Sequence, residues 1–166
     1  MTHTPYADRP RCEYSGDVVF DSSALISLAR AGLLPLLARL PVDVVILDVV
    51  WDEVVETGRA GQHPDAWAIA EALGDRSRHR TPPARTVDDA VVLAAADHGA
   101  LACNDITLGR RARNLGARWL RTADLLVLLR RSGAATRAET RAGIESLYRS
   151  GRITDDLRHE YLEVLS

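Results

Sequence analysis

The most constraining feature of this chain is the run Val42-Asp43-Val44-Val45-Ile46-Leu47, which is apolar at nearly every position rather than at alternate ones. A strand with one wetted face alternates apolar and polar residues, so a continuous β-branched run belongs in a sheet covered on both faces. Asp17–Phe20 (DVVF) has the same character and leads into Asp21-Ser22-Ser23, where Ser22 or Ser23 can cap a helix. Two shorter strands are expected at ALAC (100–103) and ARWLRT (117–122). Helical patterns separate them: ALISLARA stopped by Gly32, LLPLLARL with Pro35 in its first turn, and VVWDEVVET closed by Gly58. Further along come DAWAIAEAL between Pro64 and Gly74, AVVLAAADH ended by Gly99, NDITLGRRARNLG, and ADLLVLLRRSG. The arginine-rich stretch 75–85 (DRSRHRTPPAR) reads as a loop.

Strands alternating with helices predict an α/β fold, a three-layer α/β/α sandwich with a central, mainly parallel sheet. Residues 1–16, polar and bearing two prolines, read as a flexible tail, and 17–133 as the domain. Two extra C-terminal helices are expected in 134–166, packed on that domain. One is capped by Thr136 with Glu139 three residues on, and the other follows Thr154 with Asp155 and Asp156 in its first turn.

Composition narrows the functional classes. With 166 residues, 46% hydrophobic and 27% charged, the chain suits one globular domain. Its longest apolar stretch, Leu33 to Trp51, is broken by Pro35, Arg39, Pro41, Asp43 and Asp48, whereas a bilayer-spanning helix needs ~20 mostly apolar residues. The opening MTHTPYADRPRCEYSGD lacks the apolar centre of a signal peptide, which leads us to expect a cytoplasmic protein. Cys12 and Cys103 are too few for a disulfide framework or a four-cysteine zinc site, and there is no GxGxxG, Walker or GxSxG motif.

Charge is unevenly spread: residues 1–75 hold 5 Arg against 12 Asp and Glu, while residues 76–121 hold 9 Arg against 4 Asp. All 21 basic residues are arginine, the side chain that grips phosphate bidentately and never loses its charge. Arg110, Arg111 and Arg113, just beyond Asp105, are the candidate contacts for an anionic polymer such as RNA. The chain has only 5% aromatics, so base stacking does not dominate any recognition of nucleic acid.

In parallel α/β sheets ligands gather at the carboxyl ends of strands, and acids fall at such places here. Asp21 follows the first strand, Asp105 follows ALAC, Asp89 lies in the first turn of its helix, and Glu53 lies in the helix after VDVVIL. Each has an ordinary structural use: Asp21 and Asp105 as helix caps, Asp89 in a Thr86-x-x-Asp box, Glu53 as a solvated helix charge. Converging carboxylates repel one another, and a hard divalent cation such as Mg²⁺ or Mn²⁺ relieves that repulsion and activates water for phosphodiester hydrolysis.

The segments VVFDSSALISLARAG (18–32), VVILDVVWDEVVETG (44–58) and VDDAVVLAAADHGALACND (87–105), in this order, resemble a PIN domain. The resemblance implies catalytic acids at Asp21, Glu53, Asp89 and Asp105, with Asp21, Asp89 and Asp105 binding the metal. Ser22, Ser23, Asp88 and Asn104 would support the site, and Asp88 is the alternative third acid. The chain departs from the family pattern at Cys103, where Thr or Ser is usual. The implied activity is a metal-dependent ribonuclease, and small bacterial VapC-type members act as toxins paired with a protein antitoxin. The alternative is a non-catalytic module of the same fold that binds nucleic acid or protein. Leu125, Leu126, Leu128 and Leu129 exceed what one helical stripe buries against one core, which suggests a homodimer or antitoxin surface. Trp51, Trp67 and Trp119 are expected in the core or an interface, Cys103 as a packed thiol, and His98 as a helix-ending cation.

Overall fold

The computed structural model describes residue 14, residues 16–74, residue 76 and residues 78–166. The expected flexible tail therefore lies outside the described residues, apart from Tyr14 and Gly16. Five strands, β1 (Asp17–Phe20), β2 (Asp43–Leu47), β3 (Arg78–His79), β4 (Ala100–Ala102) and β5 (Arg118–Leu120), form one sheet in the order β3-β2-β1-β4-β5. All the pairings are parallel, with Val19 opposite Val45 on one side and Leu101 on the other. Val18, Val19 and Phe20 are wholly buried, as a strand covered on both faces requires.

The covering helices are α1 (Ser22–Arg30), α2 (Asp48–Trp51), α3 (Thr57–Ala60), α4 (Pro64–Leu73), α5 (Val87–His98), α6 (Ile106–Asn114), α7 (Thr122–Arg131), α8 (Arg137–Arg149) and α9 (Asp155–Val164). The architecture is the expected α/β/α sandwich, its sheet fully parallel among the described residues. None of the helices is long and apolar enough to cross a membrane.

Local structure departs from the sequence reading at several points. Arg78 and His79, expected in a loop, pair with Ile46 and Leu47 as the edge strand β3. The stretch expected as a second α-helix is a 3₁₀ helix over Leu34–Arg39, with Pro35 in its first turn and Pro41 two residues past its end. The helix expected to close at Gly58 runs on to Ala60, and its middle, Asp52–Glu56, is a π-helical turn joining α2 to α3. Gly58 lies within that helix, where a Cβ would press on Ala66 of α4. Of the cap candidates before α1, Asp21 is the one that serves, and Ser22 and Ser23 lie inside the helix. Trp67 lies outside the core, 58% exposed, and stacks beneath Arg59. The imidazole of His98 meets Asp17 at 2.8 Å rather than only ending its helix.

The four leucines of α7 are not a surface. Leu125 and Leu128 belong to the main core, while Leu126 and Leu129 join a second apolar cluster with Ala123, Ile144, Leu147 and Tyr161. Helices α8 and α9 cover the face of α7 that would otherwise be open, so the apolar excess is used inside the chain.

Candidate active site at the carboxyl end of the sheet

The chain builds β1, β2 and β3 outward in one direction, then returns to lay β4 and β5 on the other side of β1. The strand order thus reverses between β1 and β4, the switch point at which the loops leaving two neighbouring strands part and open a crevice. Because the strands are parallel, the intervening helices run back against them, and the amino ends of α1, α2, α5, α6 and α7 all lie at this end of the sheet. Asp21 leaves β1 and caps α1; Asp105 leaves β4 and caps α6, its Oδ1 accepting the Leu108 N–H at 2.9 Å. Their strands are hydrogen-bonded neighbours, and the Asp21 N–H donates to the Ala102 carbonyl at 3.0 Å.

A polar network fixes this seam. Ser23 Oγ donates to Asp21 Oδ2 at 2.9 Å and accepts the Asn104 backbone N–H at 3.1 Å. The Asn104 side chain donates to Ser27 Oγ at 2.8 Å, and its Oδ1 accepts from both the N–H and the hydroxyl of Thr122. Asn104 thus binds α1, the end of β4 and the start of α7 together. Ser22 Oγ donates to Glu53 Oε2 at 2.5 Å, drawing the π-helical turn to the amino end of α1. Such turns displace one residue from the regular helical ladder and are frequent at functional sites.

Among these acids burial singles out Asp21. Asp21 is only 7% exposed, and burial holds its carboxyl above the ordinary range, with hydrogen bonds from Ser23 and Ser22 opposing and the charge of Glu53 adding to the rise. The Cys103 thiol lies buried beside these acids, and its pKa is pushed up to about 12, first by burial and then by the charge of Asp21, with Asp105 adding to the rise. It is a neutral packed thiol, inert as a nucleophile.

Asp89 is differently engaged. Its Oδ1 meets the Arg111 guanidinium at 2.5 Å, and its carboxyl is held below the ordinary range by that bond and by the Thr86 hydroxyl. Arg111, a candidate RNA contact, is thereby paired with a candidate acid. Asp88 is exposed, as are Arg110 and Arg113. Among the described residues no three His, Cys, Asp or Glu side chains are grouped to hold a metal ion. Mg²⁺ asks for less than that: one or two carboxylates, with substrate phosphates and water completing its shell. Asp21, Asp105 and Glu53 carry the hard oxygen donors that such a cation takes.

The sequence reading missed Thr122 and Arg121. Both directly follow β5 at the carboxyl end of the sheet, a position that was signal enough. Trp119, one residue before the end of the same strand, donates its indole N–H to the Cys103 carbonyl at 3.0 Å.

A family model described as a PIN domain matches residues 17–166, so the match includes the last two helices. No match was found among curated proteins or among solved structures.

Proposed function

We propose that this chain, which belongs to the PIN-domain family, is a metal-dependent endoribonuclease that hydrolyses RNA phosphodiester bonds. The observation that carries the reading is the placement of Asp21 and Asp105 at the ends of neighbouring strands, with Glu53 drawn in by Ser22. A buried carboxyl that resists ionisation, with the charge of Glu53 beside it, favours a cationic partner, and an anionic polymer needs the same charge neutralised. Mg²⁺ or Mn²⁺ would be held by Asp21 and Asp105, with Asp89 joining once Arg111 releases it. When bound, such a cation neutralises phosphate charge and lowers the pKa of water.

The protein's own groups supply the geometry. Ser23 and Asn104 hold Asp21 at the seam, and Ser22 holds Glu53 by Oε2, leaving Oε1 to orient an attacking water. Cys103, neutral, adds no further negative charge. Resemblance to the VapC-type proteins supports a cytoplasmic toxin of a type II toxin–antitoxin pair, its antitoxin covering the acidic crevice. The test is cleavage of RNA in Mn²⁺ by the wild type, Asp21→Asn and Asp105→Asn. Each variant should lose at least about a hundredfold in rate. Undiminished cleavage by both variants would show the assignment to be wrong.

One observation favours a second reading, a non-catalytic module that binds nucleic acid or protein. The Asp89–Arg111 pair consumes a candidate ligand, and no three-acid group is found among the described residues. Calorimetric titration with Mn²⁺ separates the two: a catalytic site gives saturable heat that disappears in Asp21→Asn, and a vestigial one gives none.

A further inference from the structure

The acidic crevice cannot by itself attract RNA, because its carboxylates repel phosphate; the strand needs a cationic hold beside it. Arg121 follows β5 at the same end of the sheet. Its residue leaves β5 next to the segment that carries Asp105, and three bonds lock the two segments together. Cys103 N–H donates to the Leu120 carbonyl at 3.0 Å, the Trp119 indole to the Cys103 carbonyl at 3.0 Å, and the Thr122 N–H to Asn104 Oδ1 at 3.1 Å. The Arg121 backbone N–H is itself fixed by Asp124 Oδ2 at 2.8 Å.

The side chain is as constrained as the backbone. Its guanidinium carbon lies 4.7 Å from the Trp119 ring centroid, stacked on an indole that is 8% exposed. Stacking occupies the flat face of a guanidinium and leaves its in-plane N–H donors pointing outward, the edge that meets phosphate oxygens in pairs. Arg111, in contrast, spends its donors on Asp89, whereas Arg121 makes no salt bridge among the described residues. Trp119 is in turn seated against Gly109 of α6, where any Cβ would overlap the indole. The platform is therefore rigid, and a pre-set donor loses little entropy when it binds.

We propose that Arg121 clamps a backbone phosphate of the RNA strand that lies across the acidic crevice, with Trp119 as its platform. This rests on the nuclease reading above and adds to it the residue that holds the substrate.

The experiment measures binding apart from cleavage. Fluorescence anisotropy of a short labelled single-stranded RNA, in EDTA, is followed across a salt series for the wild type, Arg121→Met and Arg121→Lys. Methionine keeps an unbranched apolar stem over Trp119 and removes the charge. It should weaken binding about five- to tenfold and flatten the slope of log K against log salt by about 0.7, the share of one phosphate on a single strand. Lysine should bind more weakly than arginine yet keep the wild-type slope. Thermal melts confirm that the variants are folded, and Arg121→Gln replaces Arg121→Met if the latter melts early. Unchanged affinity and slope in a folded, uncharged variant, with the wild type binding, overturn the clamp alone. A wild type that neither binds nor cleaves RNA overturns the nuclease reading and the clamp with it.

Discussion

Ser23 and Asn104 close the seam between β1 and β4: the hydroxyl of Ser23 accepts the Asn104 backbone N–H at 3.1 Å and donates its own hydrogen bond to Asp21 Oδ2 at 2.9 Å. Asp21 is thus held by the first turn of its own helix, which the segment after β4 braces through Ser23. The Asn104 side chain extends the same seam to Ser27 and Thr122, both buried. Shape and chemistry at this point are inseparable, and the consequences can be measured.

Asn104→Ala strips partners from the Ser27 hydroxyl and the Thr122 N–H without opening either to water. Unsatisfied buried groups cost about 1–3 kcal/mol each, so the variant should lose about 2–4 kcal/mol in urea unfolding. Asn104→Asp keeps the acceptor for Thr122 and should recover part of that loss. A stability equal to wild type in Asn104→Ala would show that the seam is not held this way.

Asp21→Asn should raise stability at neutral pH while abolishing cleavage. The carboxyl of Asp21 sits above its ordinary range because burial, and then Glu53, disfavour its charge. In that window the folded state holds a proton that the unfolded chain has released, so stability falls as pH rises through the raised value. The benefit of the neutral form is complete only below the ordinary carboxylate range. Asparagine is neutral throughout, so the gap between variant and wild type should widen from acid to neutral pH. Urea titrations at several pH values give the sign directly.

What could be read without coordinates follows from where each property is encoded. Strands β1 and β2 were legible because their burial is written in consecutive apolar residues. Strand β3 was not: Arg78 and His79 carry no strand character, and only the open edge of β2 recruits them. The π-helical turn was hidden because one extra residue per turn leaves Val50, Val54 and Val55 as apolar as before. The acids Asp21 and Asp105 could be placed from strand ends alone. The capture of Asp89 by Arg111, 22 positions away, depends on how α5 lies against α6, which no local pattern records. The leucines of α7 misled because their excess was real and its cover, α8 and α9, came from the same chain.

Gly109→Ala should destabilise by about 1–3 kcal/mol, since the new methyl forces the Trp119 indole from its seat. The displaced ring would lose its bond to the Cys103 carbonyl, so the cost should appear together with a change in tryptophan fluorescence. A variant with wild-type unfolding and emission would show the contact to be loose.

Tyr161→Phe probes the attachment of the last helix. The phenol donates to Asp124 Oδ1 at 2.7 Å in an enclosed cluster, and Asp124 keeps its bond from the Arg121 N–H. Losing one hydrogen bond to a carboxylate should cost about 1.5–3 kcal/mol. Hydrogen exchange should rise in α9 before α5, because α9 packs through the second cluster rather than the main core.

Arg111→Ala decides what the Asp89 pair does. The guanidinium holds the Asp89 carboxyl below its usual range, so its removal should return that carboxyl toward ordinary titration, followed by carbon-13 NMR of the side chain. If Asp89 is a metal ligand held in reserve, the freed carboxylate should tighten Mn²⁺ binding by calorimetry, while Arg111→Ala with Asp89→Asn should not. Tightening in the single variant alone places Asp89 in the cation's shell. Equal Mn²⁺ affinity in the wild type and both variants assigns the pair to the packing of α5 on α6 and leaves Asp21, Glu53 and Asp105 as the acids of the site.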